Sequence, residues 1–141
     1  MLWPNLANNM SKWPKDRALD LKDLNNRNGR KKAYEHYLKT YLECTVSVDR
    51  NIGRILAHLE KKGILDDTLI IYTSDNGMLL GEHGWYDKRM MCEESLSIPF
   101  LARYPAEIKA GTVSNKMCLN LDFAETFLDF ANVQIPSDMQ G

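Results

Sequence analysis

Leu69-Ile70-Ile71-Tyr72 is a short, β-branched apolar run that closes on Thr73-Ser74-Asp75-Asn76-Gly77, and no other stretch restricts the fold as strongly. Its length and polar flanks suit a strand covered on both faces, as in a parallel α/β sheet, better than a half-wet antiparallel strand. Parallel α/β sheets collect their ligands at the carboxyl ends of such strands. Asp75 brings a carboxylate there and Asn76 a neutral amide oxygen, two hard donors that suit Ca²⁺ or Mg²⁺ better than a thiophilic metal. Gly77 lets the backbone turn without a Cβ penalty. The same three residues also make an ordinary turn, in which the Asp and Asn side chains bond only local backbone.

The next segment shifts the balance toward a site. Gly81-Glu82-His83-Gly84-Trp85-Tyr86-Asp87-Lys88 sets a histidine, a lysine, two carboxylates and two aromatics around a pair of glycines, with neither a helical nor a strand period. A polar loop of that density carries function more often than it merely connects. Taken alone, Lys88 reads as a solvated lysine, the usual state of that residue.

Thr73 to Gly77, then Gly81-Glu82-His83-Gly84-Trp85, Asp87-Lys88-Arg89, Glu93-Glu94-Ser95-Leu96 and Ile98-Pro99-Phe100-Leu101 together resemble the sulfatase family of the alkaline-phosphatase superfamily. The likeness is to bacterial sulfatases of sulfated glycans, including the N-acetylglucosamine-6-sulfatase type. It runs from about Tyr34 to Gly141 and is sharpest from Asp75 to Pro99. The resemblance implies an α/β fold: a piece of an alkaline-phosphatase-like sandwich with a mainly parallel central sheet flanked by helices. It implies Asp75 and Asn76 as ligands of an active-site Ca²⁺, ahead of Mg²⁺, and Lys88 as the cation that touches the sulfate. A compact ammonium near a divalent cation neutralises charge on a sulfuryl oxygen as the ester breaks. His83 either donates to substrate and leaving-group oxygen, a task its ordinary titration range suits, or orients the loop through a backbone carbonyl. Trp85 and Tyr86 form either a sugar-stacking wall or simple packing. Glu93 and Glu94 open the return to a second strand, with at least one expected as partner of Arg89 or Lys88.

The family's nucleophile, a formylglycine made from the Cys or Ser of a Cys/Ser-x-Pro/Ala-x-Arg motif, has no counterpart around Cys44, Cys92 or Cys118, and the family's N-terminal aspartate pair is also without a match. The resemblance therefore implies the later part of a sulfatase catalytic domain. Formylglycine is expected in a segment upstream of it, and the remainder of that domain is its partner. Alone, such a piece is expected to be inactive. A sulfated sugar or polysaccharide is the implied substrate and a periplasmic or secreted setting the implied compartment. A phosphate or phosphonate monoesterase of the same superfamily, a non-catalytic glycan- or metal-binding module and a bare structural fragment are the competing readings.

The remaining sequence is compatible with one domain-sized unit. At 141 residues and 44% hydrophobic content the chain can bury a core. A net charge of −1 leaves no electrostatic footprint for nucleic acid, and no apolar run is long enough to span a bilayer. Three cysteines without paired spacing make no disulfide framework and are expected as buried or partly buried thiols. Residues 1–32 are polar and aperiodic, with Trp3-Pro4, Trp13-Pro14 and a basic run over 27–32, and are expected as an irregular lead-in to a domain over 33–141. Tyr34, Leu38, Tyr41, Leu42, Val48, Ile52, Ile55, Leu56 and Leu59 recur three and four apart, predicting one long amphipathic helix from about Lys32 to Lys62 that Gly63 stops. Residues 97–103 read as a strand with Pro99 near its start, and 113–119 as a further strand. Asp122 and Glu125 open a helix with Phe123, Phe127 and Phe130 along its core face.

Overall fold

The computed structural model describes residues 26–141. Residues 1–25 of the lead-in expected over 1–32, with both Trp-Pro pairs, lie outside the described residues. Helix α1 (Arg27–Lys61) begins five residues before the expected start, so the basic run is helical. The cause is Asn26, whose side-chain oxygen accepts from the Gly29 amide at 2.8 Å, an N-cap bond that satisfies one otherwise orphaned donor. At the other end Gly63 takes φ 69, the left-handed conformation expected just past a helix terminus, with His58 and Lys61 in the last turn against the negative dipole end.

After α1 come β1 (Ile70–Thr73), β2 (Leu79–Leu80), a 3₁₀ turn (Glu82–Gly84), β3 (Tyr86–Asp87), the short helix α2 (Glu93–Leu96), β4 (Phe100–Arg103) and α3 (Asp122–Phe130). The described chain falls into two compact units.

One unit comprises residues 26–61 and 76–98. Its core is Ala33 and Tyr37 from the first turns of α1, with Leu79 and the Ser95 side chain. Tyr37 meets Tyr86 edge-on, ring centroids 5.9 Å apart. Strands β2 and β3 pair antiparallel, Leu79 with Asp87 and Leu80 with Tyr86, so the glycine-bounded loop is the tip of a small hairpin. Beyond Thr40 the helix is largely uncovered: Leu42, Val48 and Ile55 are exposed although their spacing predicted a buried stripe. Periodicity identifies the face that can be covered; in the described residues its first turns are buried, and Ile52, Leu56 and Leu59 near its end are half-buried.

The other unit comprises residues 62–75 and 99–141. Its strands β1 and β4 pair antiparallel, Ile70 with Arg103 through Thr73 with Phe100. The run Leu69 to Tyr72 predicted a parallel strand covered on both faces. The pair that forms is antiparallel, and Tyr72 and Leu101 are exposed. Arg103 fastens the entry to β1, donating to the Leu65 carbonyl at 2.9 Å and to the Asp66 carboxylate at 2.5 Å. The predicted aromatic helix forms as α3. Phe123 stacks on Phe100 at 5.7 Å and Phe130 meets Tyr104 edge-on at 5.4 Å, while Phe127 is half exposed. Asp122 accepts from the Leu119 amide, and α3 closes in a Schellman arrangement with Asn132 at φ 53. Residues 113–119 form no strand and are exposed throughout, because among the described residues no neighbouring strand meets their backbone groups. Cys44 and Cys118 are exposed and only Cys92 is half-buried, against the expectation of buried thiols.

Candidate functional site

Asp75 and Asn76 follow β1 after the single residue Ser74. Asp75 is exposed. Its Oδ1 accepts from the Ser74 hydroxyl at 3.3 Å, and its backbone carbonyl accepts from the Asn120 side-chain amide at 3.0 Å. That second bond holds the Asp75 carbonyl to the loop before α3. It spans 45 residues of sequence, and no local motif announced it. Asn76 donates through Nδ2 to the Gly77 carbonyl at 2.6 Å.

Gly77 earns its place by close approach rather than by a left-handed φ. Its amide donates to the Ser95 carbonyl at 2.8 Å. A Cβ built on it would lie 2.6 Å from the Ser97 carbonyl oxygen and nearer still to that of Glu94. The turn after β1 is thereby seated on α2.

The hairpin tip is held in an unusual backbone path. Gly81, His83, Gly84 and Asp87 all take positive φ, at 124, 56, 72 and 104 degrees. Glu82 accepts from the Leu80 amide at 2.6 Å. Asp87 accepts from the Lys88 amide at 2.8 Å and from Arg89 Nη1 at 2.5 Å. His83 Nε2 lies 3.0 Å from Glu94 Oε1, so His83 is held by a side-chain carboxylate rather than a backbone carbonyl. Glu93 accepts from the Ser97 hydroxyl. The acidic pair therefore partners His83 and Ser97, not Arg89 or Lys88, and opens a helical turn rather than a strand. Arg89 reaches Asp87 two residues away, which leaves Glu94 to the histidine that the positive φ turns toward it. The Glu94 carboxyl is held below its ordinary range first by a hydrogen bond from its own backbone N–H, then by the side chains of His83 and Cys92.

Lys88 is exposed, and among the described residues it forms no ion pair. Trp85 is half-buried and, with Tyr34, Tyr37 and Tyr86, lines a cavity of about 10 Å³, room for one water molecule. The Tyr37 hydroxyl is buried with no hydrogen-bond partner among the described residues, and burial first, then the nearby Tyr41, Tyr86, Asp87 and Glu82, pushes it up to about 12.

A carboxylate and an amide oxygen are the chemistry a hard divalent cation takes. Among the described residues no three His, Cys, Asp or Glu side chains come together as a metal cluster. Asp75 and Asn76 offer these two donor types.

Comparison with known proteins decides the family. Residues 81–141 match the family model "N-sulphoglucosamine sulphohydrolase, C-terminal". Over 108 residues, 77% of its length, the chain is 56% identical to the N-acetylglucosamine-6-O-sulfatase of Bacteroides thetaiotaomicron. The chain belongs to the sulfatase family. It spans 19% of that relative's length. A solved structure described as being in complex with its substrate, D-glucosamine-2-N,6-O-disulfate, superposes with a TM-score of 0.80 at 52% identity, over 86% of this chain and 24% of the other. The phosphonate monoester hydrolase of Silicibacter pomeroyi superposes with a TM-score of 0.74 at 27% identity, over 97% of this chain and 27% of the other. The sulfatase chain is thus α/β with an alkaline-phosphatase-like fold. No helix among the described residues is long and apolar enough to cross a membrane.

Proposed function

We propose that this chain is a segment of a sulfuric ester hydrolase that takes a sulfated glucosamine or a glycan containing one, and that it supplies part of the cation-binding and sulfate-binding machinery. The observation that carries this reading is the 52% identity and 0.80 TM-score to a protein solved with a disulfated glucosamine, joined to an Asp-Asn pair on the end of β1.

In this reading Asp75 and Asn76 hold a Ca²⁺, Mg²⁺ being the second choice. A cation held there would supply Lewis-acid polarisation of a sulfuryl oxygen. Lys88 sets its ammonium against the sulfate, a point charge suited to an oxyanion. His83 protonates the leaving sugar oxygen, and Trp85 offers an aromatic face to the ring. No side chain here provides the formylglycine nucleophile, since none of the three cysteines has the required surroundings. The rest of the catalytic machinery is the segment's partner, and a periplasmic or secreted setting belongs to the same proposal.

The test is to hold the purified chain with D-glucosamine-2-N,6-O-disulfate and Ca²⁺, reading sulfate release by ion chromatography and contact by saturation-transfer NMR. Contact that needs Lys88, without release, is the expected result. Sulfate release by the chain alone would show that its own residues complete the reaction, and contact indifferent to Lys88→Ala would remove the sulfate-site assignment. The 27% identity to a phosphonate monoester hydrolase supports a second reading, which predicts stronger contact with a phosphonate monoester than with the sulfated sugar.

A further inference from the structure

His83 stands in the left-handed region at φ 56, between Gly81 at 124 and Gly84 at 72. Histidine is among the few non-glycine residues that tolerate this region, and a side chain held there points somewhere specific. Here it points at Glu94, eleven residues on, with Nε2 3.0 Å from Oε1. The partner sits on a fixed element. Glu94 belongs to α2, whose turn is closed by the Ser95 amide on the Cys92 carbonyl and the Ser97 amide on the Glu93 carbonyl, and Gly77 donates to the Ser95 carbonyl. An ionised carboxylate only accepts, so the hydrogen in the pair is the one on Nε2. The lone pair of the neutral ring, and the second proton of the charged ring, then lie on Nδ1.

We propose that Glu94 is the positioning residue of His83: it occupies Nε2–H and thereby makes Nδ1 the nitrogen that passes a proton to the leaving sugar oxygen. This rests on the reading of His83 as a substrate-facing residue. An oxygen nucleophile bonds to sulfur, and the ester S–O bond breaks with its electron pair on the sugar oxygen. That oxygen takes the proton from Nδ1 of the imidazolium. The ring is left neutral, its remaining proton on Nε2 and still bonded to Glu94. A carboxylate facing the opposite nitrogen fixes the ring's orientation and tautomer, the general logic of an orienting acid behind a catalytic histidine. The pair also ties together the two ends of the segment that carries Trp85 and Lys88, so positioning the ring and positioning the loop are one contact.

The experiment is a two-bond ¹H–¹⁵N correlation on the histidine rings of the ¹⁵N-labelled chain, at a pH where the ring is neutral. The expected wild-type spectrum shows His83 protonated on Nε2, Glu94→Ala shows a mixture of both tautomers, and Glu94→Gln, whose Oε1 still accepts, restores the single form. Protonated Nδ1 in the wild type overturns the proposal with no variant needed, so an unfolded Glu94→Ala chain does not protect it. An unchanged tautomer in a folded Glu94→Ala chain overturns it too. D-glucosamine-2-N,6-O-disulfate is then added. A shift of His83 Nδ1 along with Lys88 supports the proposal. A shift of Lys88 alone overturns the role of Nδ1 while the sulfate site stands, and no shift at either residue overturns the sulfate-site reading itself.

Discussion

Replacing Gly77 with alanine tests whether the turn after β1 is seated on α2 by close packing. The new Cβ would lie 2.6 Å from the Ser97 carbonyl oxygen, about 0.8 Å short of the 3.4 Å at which ordinary contact begins, and nearer still to the Glu94 oxygen. Both obstacles are backbone atoms, so neither can swing aside as a side chain tip would. The turn must leave α2, which overpacking data price at about 1–3 kcal/mol. Loss of the bond from the Gly77 amide to the Ser95 carbonyl, 2.8 Å long, adds about 1 kcal/mol. Reduced freedom of the unfolded chain returns about 0.4–1 kcal/mol. The net expectation is a loss of roughly 1–3.5 kcal/mol. In a domain of 60–100 residues each kcal/mol lowers Tm by about 4–8 °C. Gly53 is the internal control: it lies mid-helix with nothing within 4 Å of its would-be Cβ, so alanine there should stabilise by about 0.5–1 kcal/mol. Urea unfolding followed by circular dichroism measures both. A Gly77→Ala chain as stable as Gly53→Ala would refute the seating.

Asn120→Ala removes the anchor on the Asp75 carbonyl, and should cost about 0.5–1.5 kcal/mol in urea unfolding; an unchanged midpoint would mean that the anchor does not hold. Tyr37→Phe deletes a buried hydroxyl that has no partner among the described residues, so stability at neutral pH should rise by about 1 kcal/mol, the low end of what burying an unbonded hydroxyl costs. Because the folded state raises that phenol to about 12, stability favoured by the neutral hydroxyl is lost as pH climbs from about 10, its unfolded value, toward 12; the phenylalanine chain should lack this alkaline loss in a pH series of melts. Glu94 is shifted the other way. Its contribution is present above the ordinary carboxylate range and fades as pH falls through the lowered value, so Glu94→Gln should flatten the acid limb of the same series.

The elements that local chemistry dictates were legible in the sequence. Three- and four-residue spacing found α1 and Gly63 its stop, and the Phe123, Phe127, Phe130 stripe found α3. The start of α1 was missed because the basic run hid the cap at Asn26. Burial was less legible, since Leu42, Val48 and Ile55 lie on a face whose period says it can be covered, and in the described residues they remain exposed. Strand direction was illegible for the same reason: an apolar run reports hydrophobic surroundings, and β1 meets an antiparallel neighbour. Within the candidate site, residue types together with the family resemblance named Asp75, Asn76, His83, Trp85 and Lys88, while their partners came from tertiary structure. Asn120 reaches Asp75 across 45 residues, and His83 turns to Glu94 because of a positive φ. Gly77 shows the limit well, since a glycine in a sequence does not say whether conformation or close approach requires it.

The most direct test of the account is a transplant of residues 34–141 into the Bacteroides thetaiotaomicron N-acetylglucosamine-6-O-sulfatase in place of its matching segment. A folded chimera is expected to release sulfate from D-glucosamine-2-N,6-O-disulfate, to lose that activity to a Ca²⁺ chelator, and to lose it again in Asp75→Ala and Lys88→Ala. A folded chimera without turnover, or with turnover indifferent to Asp75 and Lys88, would contradict the claim that this segment holds half of a sulfatase site.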